Sequence, residues 1–253
     1  MTGVWLETLT WSEAKARFDA GAVVVVPIGA MAKEHGHHLP LNTDYLYARE
    51  LATRVTAALP VVIAPILTQG YYPAFVRYPG SQHLRAETFI ALLDDVLDRL
   101  LEQGAARIAI VNTGVSTEGP VQIAVRNILS RRGIEVPVAD IRRLGKASSR
   151  VLRQKFGGHG DEHETSLMLA IAPESVDMSK ARTDYGHLAT VPETVFYRPV
   201  AFSGDPTSGI HYSETGVRGD PTLATAEKGK LILAEMVHEL VDGLRHLCPG
   251  LTP

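Results

Sequence analysis

The sequence contains a single cysteine, Cys248, among its 253 residues. One thiol cannot form an intrachain disulfide, and it cannot supply the several thiolates of a structural zinc cluster. Tryptophan is also scarce, with only Trp5 and Trp11, both near the N-terminus. Metal ligands, where the chain has them, must therefore come from its histidine and carboxylate side chains.

The sequence also lacks a surplus of positive charge and a long hydrophobic run. Its formal net charge is −3, so it has no basic footprint of the kind that binds nucleic acid or anionic lipid. No apolar run approaches the ~20 residues that a membrane-spanning helix needs, and the first residues do not have the pattern of a secretory signal. We therefore expect a cytoplasmic, soluble, enzyme-sized protein with no nucleic-acid and no membrane partner.

Short apolar runs alternate with segments of helical periodicity, which is typical of a parallel sheet with crossover helices. The apolar runs predict strands at residues 22–28, 61–64, 107–111 and 136–141. The periodic segments predict helices at residues 10–21, 44–59, 88–103, 120–132, 163–172 and 222–247. Together they predict one α/β domain over residues 1–253, a three-layer αβα sandwich with a mainly parallel central sheet.

The first polar cluster follows the first predicted strand, where open α/β sheets form their ligand sites. Residues 33–38 are Lys-Glu-His-Gly-His-His, and Asp44 begins the next predicted helix. Imidazole and carboxylate groups together suit zinc, manganese and similar divalent ions. A surface histidine cluster without metal is the alternative, but so many ligand types within a short segment favour a metal site.

Two further polar segments follow later strands. Glu118 ends the segment Asn-Thr-Gly-Val-Ser-Thr-Glu at residues 112–118, and helix capping is the alternative function of a carboxylate there. In the segment His-Gly-Asp-Glu-His-Glu-Thr-Ser at residues 159–166, His159 and His163 are candidate ligands or proton donors. Glu164 is a candidate base or a partner that orients a histidine.

The stretch from residue 68 to residue 86 is rich in glycine, proline, tyrosine and polar residues, which predicts a long functional loop. Its candidates for lining a substrate pocket are the aromatic and basic residues Tyr71, Tyr72, Phe75, Arg77, Tyr78 and His83. Arg77 suits a substrate carboxylate or phosphate through a bidentate contact, although an ordinary surface arginine is the alternative.

These segments together resemble the creatininase (creatinine amidohydrolase) family over essentially the whole chain. The family motif Pro-[Val/Ile]-Gly, then Glu-x-His-Gly-x-His and an aspartate, resembles residues 27–44. The motif Asn-Gly-His-x-x-Asn is matched in part at residues 112–118. The motifs His-x-Gly-Glu-x-Glu-Thr-Ser and Gly-x-x-Gly-Asp-Pro-x-x-Ala-x-x-x-Lys-Gly resemble residues 159–166 and 216–229.

The resemblance implies a centre of one or two divalent ions per subunit, zinc or manganese, at which a metal-bound hydroxide attacks an amide carbonyl. It implies that Asp44 is a ligand shared between two ions. It further implies that His35 binds one ion and that Glu118 faces it. His159 is then the group that protonates the leaving nitrogen, and Glu164 supports the site.

The sequence departs from the family pattern at two points. Glu34 directly precedes His35, whereas the family glutamate stands two residues before the histidine, a position that Lys33 holds here. An ammonium cannot ligate a metal, so Glu34 is a ligand only if a local bulge redirects it. The second motif also lacks its histidine, because no histidine occurs between His83 and His159.

Three outcomes of these departures are open. His163 and Glu162 can supply replacement ligands for a rearranged pair of ions. Alternatively, a single ion binds through His35, Asp44 and Glu118. In the third outcome the site has lost its hydrolytic function.

The function that we expect is hydrolysis of a non-peptide C–N bond in a small cyclic amide, formamide or related metabolite. Creatinine itself is disfavoured, because both tryptophans lie near the N-terminus and cannot form the lid that the family member acting on creatinine uses. The alternatives are a peptidase-like maturation factor for a small modified peptide, and a member with an altered metal site and no hydrolase activity. The resemblance also implies a homo-oligomer, since family members form multimers, often hexamers.

Overall fold

The computed structural model describes residues 3–146, 148–186, 195 and 202–251. In these ranges the strands are β1 (Val4–Trp5), β2 (Val23–Ile28), β3 (Val62–Ile63), β4 (Arg107–Asn112) and β5 (Val138–Asp140). The α-helices are α1 (Trp11–Asp19), α2 (Thr43–Ala58), α3 (Ala86–Glu102), α4 (Glu118–Arg132), α5 (Glu162–Ile171) and α6 (Ala226–Leu247). Over the same ranges, no helix combines the length and the apolar character that crossing a membrane requires.

The strands form one sheet in the order β1-β3-β2-β4-β5, and every neighbouring pair is parallel. Strand β2 lies at the centre and all six of its residues are buried, as its uninterrupted apolar sequence predicts for a strand covered on both faces. Strand β1 was not predicted, because two residues are too few to show a periodicity. The parallel sheet confirms the predicted α/β class.

Helices cover both faces of the sheet, and the alternation of side chains along β2 divides the core between them. Val23 and Val25 pack in one core cluster with buried residues of α2, α5 and α6. Val24 and Val26 pack in a second cluster with buried residues of α1, α3 and α4. This is the predicted three-layer αβα arrangement.

The carboxyl edge of the sheet positions the polar segments. The last residues of β4 and β5, Asn112 and Asp140, are paired in register, and the Asn112 side-chain amide donates to Asp140 Oδ2 at 2.9 Å. Strand β2 leads through Gly29 into α2, where a Cβ on Gly29 would lie 2.5 Å from the carbonyl oxygen of Asp44. This close approach brings the start of α2 directly against the end of the central strand.

Helix α6 offers a matched test of the packing between α5 and α6. A Cβ on Gly229 would lie 1.8 Å from the carbonyl oxygen of Ser166, whereas a Cβ on Gly243 has no atom within 4 Å. We expect Gly229→Ala to reduce the free energy of unfolding by about 3 kcal/mol or more, because the two backbones must separate. Gly243→Ala should instead raise it by roughly 0.5–1 kcal/mol through helix propensity. Urea unfolding of both variants checks this, and equal effects would contradict the close packing.

Candidate metal centre

Three side chains from two segments converge at the carboxyl edge of the sheet. One ligand atom from each of His35, His159 and Glu164 lies within 4.8 Å of the other two. The rings of His35 and His159 are 4.8 Å apart between centroids, and both residues are buried. Asp44, which the sequence predicts as a ligand, adjoins this group, because its Oδ1 lies 2.9 Å from His35 Nε2.

His35 is held from both sides of its ring. Its Nδ1 lies 2.9 Å from the carbonyl oxygen of Lys33, and its Nε2 faces Asp44 Oδ1. Both partners are oxygen atoms that only accept hydrogen bonds, so each ring nitrogen must carry a hydrogen or bind an ion. The ring is therefore oriented with Nε2 towards the acidic side of the site.

Asp44 lies in the first turn of α2, where the helix dipole favours a carboxylate. Its second oxygen, Oδ2, accepts a hydrogen bond from Lys33 Nζ at 2.8 Å. Burial alone raises the pKa of Asp44, but the charges of Lys33 and His35 outweigh it and hold the pKa well below its usual value. Asp44 is therefore ionised, with both oxygens engaged.

Glu34 lies on the opposite side of the site, against His159. The His159 Nε2 lies 2.8 Å from the carbonyl oxygen of Glu34 and 3.2 Å from its Oε2. The carboxylate of Glu34 also accepts the backbone N–H of Gly36. Glu34 thus orients His159 through a hydrogen bond, and in this structure its carboxylate does not join the three-residue group.

Glu164 is fixed by the start of α5. Asp161 caps this helix by accepting the backbone N–H of Glu164 at 3.0 Å, and Glu164 Oε2 accepts the backbone N–H of Gly160 at 2.7 Å. Burial raises the pKa of Glu164, but His35 and His159 outweigh it and keep the pKa below its usual value. The site therefore presents Glu164 as an ionised carboxylate.

The pKa of His159 shifts in the opposite direction to that expected from burial. Burial lowers this pKa, but the carboxylates of Glu34 and Glu164 outweigh it and hold the pKa above its ordinary value. A positive charge at this ring, whether a proton or an ion, is thus favoured by its surroundings.

Three other residues that the sequence predicts as possible metal ligands do not join the group of His35, His159 and Glu164. The carboxylate of Glu118 forms an ion pair with Arg142 and accepts the side-chain amide of Gln122 at 3.0 Å. Glu162 is fully buried, pairs with Lys228 and accepts two backbone N–H groups. His163 lines a neighbouring cavity instead.

The predicted substrate residues of the long loop are also dispersed. Tyr72 is buried and its hydroxyl lies 3.0 Å from the carbonyl oxygen of Ala32. The Arg77 side chain is 67% exposed, 3.7 Å from Asp205, as expected for a surface arginine. His83 packs near Tyr72, with ring centroids 5.9 Å apart.

Further residues enclose the site. The ring of Phe75, a predicted pocket residue of the long loop, lies 4.3 Å from that of His159. Sequence reasoning missed Phe202, whose ring lies 5.5 Å from that of His159, and Arg218. Arg218 is buried and exchanges backbone hydrogen bonds with His159. Arg218 belongs to the segment that resembles the fourth family motif, and that match is the one sequence signal for a place near the site.

A cavity of 290 Å³ opens beside this group. Its lining includes Glu164, Asp161 and His163 from the start of α5, together with Arg142 and Lys146 from the segment after β5. Its position next to Glu164 makes it a candidate site for a small substrate.

A parallel αβα sheet with histidines and carboxylates grouped at its carboxyl edge defines an α/β protein with a candidate metal centre. The creatininase family, described as creatinine amidohydrolase, matches residues 7–244. The chain therefore belongs to the creatininase family.

Two curated relatives differ in activity. The chain is 28% identical to the creatinine amidohydrolase of Pseudomonas putida, over 97% of this chain and 98% of the relative. It is 31% identical to the mycofactocin precursor peptide peptidase of Mycobacterium tuberculosis (strain CDC 1551 / Oshkosh), over 89% of this chain and 86% of the relative. The family thus includes members that act on a small molecule and members that act on a peptide.

Solved creatininase structures share the fold over nearly the full length. A structure named "Creatininase Mn" has a TM-score of 0.81 and 28% identity, covering 98% of this chain and 99% of the other. A mutant creatininase of "Zn-Zn type" has a TM-score of 0.80 and 29% identity, covering 98% and 100%. These relatives carry manganese or zinc, so the donors of this chain must be compared with the requirements of such ions.

The donor geometry fits one divalent ion. His159 donates Nε2–H to Glu34, which leaves Nδ1 free to ligate, and this Nδ1 lies 3.8 Å from Glu164 Oε2. Zinc lies about 2.0–2.1 Å from nitrogen and oxygen ligands in a tetrahedral shell, so two of its ligand atoms are about 3.4 Å apart. The separations within the group reach up to 4.8 Å, so the donor atoms must draw together by roughly 1.4 Å around an ion, which side-chain rotation can supply.

The buried side chain of His38 makes the stability of the folded protein depend on pH. Its Nε2 lies 2.8 Å from Thr165 Oγ1, and burial lowers its pKa from 6.5 to about 4. The folded state therefore keeps His38 neutral while the unfolded state takes up a proton below pH 6.5. We expect stability to be unaffected by this group above pH 6.5 and to fall by about 3 kcal/mol as the pH drops to 4.

The test compares His38→Gln with the wild type in urea unfolding at several pH values. The variant should lose part of the dependence on pH between 6.5 and 4, because glutamine does not titrate. His37→Gln, which removes an exposed histidine of the same loop, is the matched control. Identical pH slopes for the two variants would contradict the assignment.

Proposed function

We propose that this protein hydrolyses a C–N bond of a small amide with the help of a divalent ion, zinc or manganese, held by His35, His159 and Glu164. The observation that carries this proposal is the convergence of these three donors within 4.8 Å of one another. Membership of a family of amidohydrolases supports the reaction class.

The surroundings of each donor support a role as ligand. Metal-binding histidines commonly donate their second ring nitrogen to a carbonyl or carboxylate oxygen, which fixes the ring and its tautomer. His159 has such a partner in Glu34, and His35 has one in the carbonyl oxygen of Lys33. Glu164 is ionised and anchored by the backbone N–H of Gly160.

A bound divalent ion would polarise the amide carbonyl and lower the pKa of a water molecule, so that a nucleophile forms near neutral pH. The protein residues provide the remaining requirements. Phe75 and Phe202 pack against His159 and keep bulk water from that side of the site. The cavity beside Glu164, one of the three donors, receives the substrate.

The size of the cavity favours a small substrate. Pockets for drug-sized ligands have volumes of about 300–1,000 Å³, and the cavity beside Glu164, at 290 Å³, is near the lower limit. Trp11 is 82% exposed and Trp5 lies on the edge strand β1, so neither lines this cavity. We therefore propose a small cyclic amide or formamide other than creatinine as the substrate.

Hydrolysis of a modified peptide is the second candidate. Three relatives that are 30–31% identical to this chain, over 89–90% of its length, are mycofactocin precursor peptide peptidases. A peptide would need a site open beyond the cavity beside Glu164, so the size of the accepted substrate separates the two candidates.

Substitution of the proposed ligands tests the metal centre directly. We expect His159→Ala and Glu164→Gln each to weaken binding of Mn²⁺ or Zn²⁺ on the order of 100-fold or more, because each loses one of three donors. Glu118→Gln is the matched control, since its carboxylate pairs with Arg142, and it should bind metal like the wild type. Equilibrium dialysis gives the affinities. Unchanged affinity in both ligand variants would refute this metal centre.

Substrate class is tested with the metal-loaded protein. We expect turnover of cyclic amides or formamides small enough for the cavity, with creatinine a poor substrate, and we expect EDTA to abolish it. The reaction is followed as release of the carboxylate or amine product. Cleavage of a modified peptide, with no turnover of small amides by the same preparation, would favour the second candidate.

A further inference from the structure

Lys33 is one of the least exposed charged residues of the structure, at 5%. Lysine is almost never fully buried unless its charge is paired. Both backbone groups of Lys33 are fixed, because its N–H donates to the carbonyl oxygen of Leu41 at 2.9 Å and its carbonyl oxygen accepts from His35. The side chain is therefore directed into the site by a rigid stretch of backbone.

The ammonium of Lys33 meets the most deeply held carboxylate of the site. Nζ lies 2.8 Å from Asp44 Oδ2, and the two side chains are 7% and 1% exposed. Because Asp44 Oδ1 faces His35 Nε2 at 2.9 Å, Oδ2 is the oxygen with which Asp44 would reach a second ion. Lys33 occupies that oxygen.

The surroundings of Lys33 favour a permanent positive charge. The ring of Phe75 lies 5.2 Å from Nζ, a distance at which an aromatic face attracts a cation. Burial lowers the pKa of Lys33, but the carboxylates, Asp44 first and then Glu164 and Glu34, hold it above its usual value. The site thus has a built pocket for one monovalent cation.

We propose that the Lys33 ammonium is a built-in cation that replaces one of two divalent ions, so that the protein has a centre with a single divalent ion. The position of Lys33 in the sequence agrees with this, because it stands where the family motif has a glutamate, two residues before His35. A carboxylate there would attract an ion, whereas the ammonium repels one and neutralises Asp44 itself.

This inference deepens the proposed function, because it fixes how many ions the proposed centre holds. A second divalent ion on Asp44 Oδ2 would have to displace Lys33 from a buried ion pair. The displaced ammonium would then stay buried without a partner, which is strongly unfavourable. Asp44 can therefore contact a divalent ion only through Oδ1, the oxygen that faces His35.

Metal stoichiometry tests the inference without reference to activity. In equilibrium dialysis against Mn²⁺, we expect one ion per chain in the wild type and two in Lys33→Glu, where two carboxylates replace the ion pair. The matched control is Lys33→Glu combined with Asp44→Asn, which should return to one ion. Two ions per chain in the wild type, or no gain in Lys33→Glu, would overturn the inference.

A second variant covers the possibility that Lys33→Glu does not fold. Lys33→Met keeps the length of the side chain but leaves Asp44 buried without its partner, so Tm in EDTA should fall by about 10 °C. Added Mn²⁺ should recover most of this loss, because the ion takes the place of the ammonium. A Tm in EDTA equal to that of the wild type, or a fall that Mn²⁺ does not recover, would contradict the role of Lys33.

The two proposals can fail separately in these experiments. If the wild type binds no ion but Lys33→Glu gains one that Asp44→Asn removes, the centre at His35, His159 and Glu164 is wrong and the role of Lys33 stands. If the wild type binds one ion that His159→Ala removes, and Lys33→Glu gains none, the proposed centre stands and the role of Lys33 is wrong.

Discussion

The buried ion pair between Lys33 and Asp44 connects the parts of this structure that create its site. Asp44 begins α2, and its carboxylate receives Lys33 and His35 from the loop after β2. Its carbonyl oxygen accepts the hydroxyl of Thr113, which also donates to the carbonyl oxygen of Ile28 at the end of β2. One residue thus joins the central strand, the end of β4 and the first helix of the site, and the orientation of His35 follows from it.

A buried ion pair of this kind contributes little net stability to a fold. Removing two charges from water costs several kcal/mol per ion, and replacing a buried pair with apolar residues of similar volume is often neutral or stabilising. Packing alone therefore gives no reason for Lys33 at this position. Glu34, Glu164 and Asp44 together bring three carboxylates close to it, and a fixed cation offsets that negative charge in the site.

The fold was largely predictable from the sequence, and the site only in part. Continuous apolar runs such as residues 23–28 indicate strands that are buried on both faces. The segments of helical periodicity between these runs indicate crossover helices, and together the two patterns predicted the parallel αβα class. The motifs placed His35, Asp44, His159 and Glu164 in one region, because they follow strands that end at the same edge. Several predictions stay untested, among them a single domain over residues 1–253, the metal-binding and catalytic roles of the site residues, a homo-oligomer and a cytoplasmic location.

The features of the site that the sequence did not predict are contacts between side chains that are far apart in the chain. In the structure Glu118 forms an ion pair with Arg142, 24 positions later in the chain. The spacing of residues within the second motif does not predict that contact. The sequence excludes Lys33 as a ligand because an ammonium cannot ligate a metal, but its contact with Asp44, 11 positions away, could be seen only in the structure. A fold accommodates different chemistry by changes at its site, and here a single ammonium alters the charge balance of the site while the sheet and its helices keep the family arrangement.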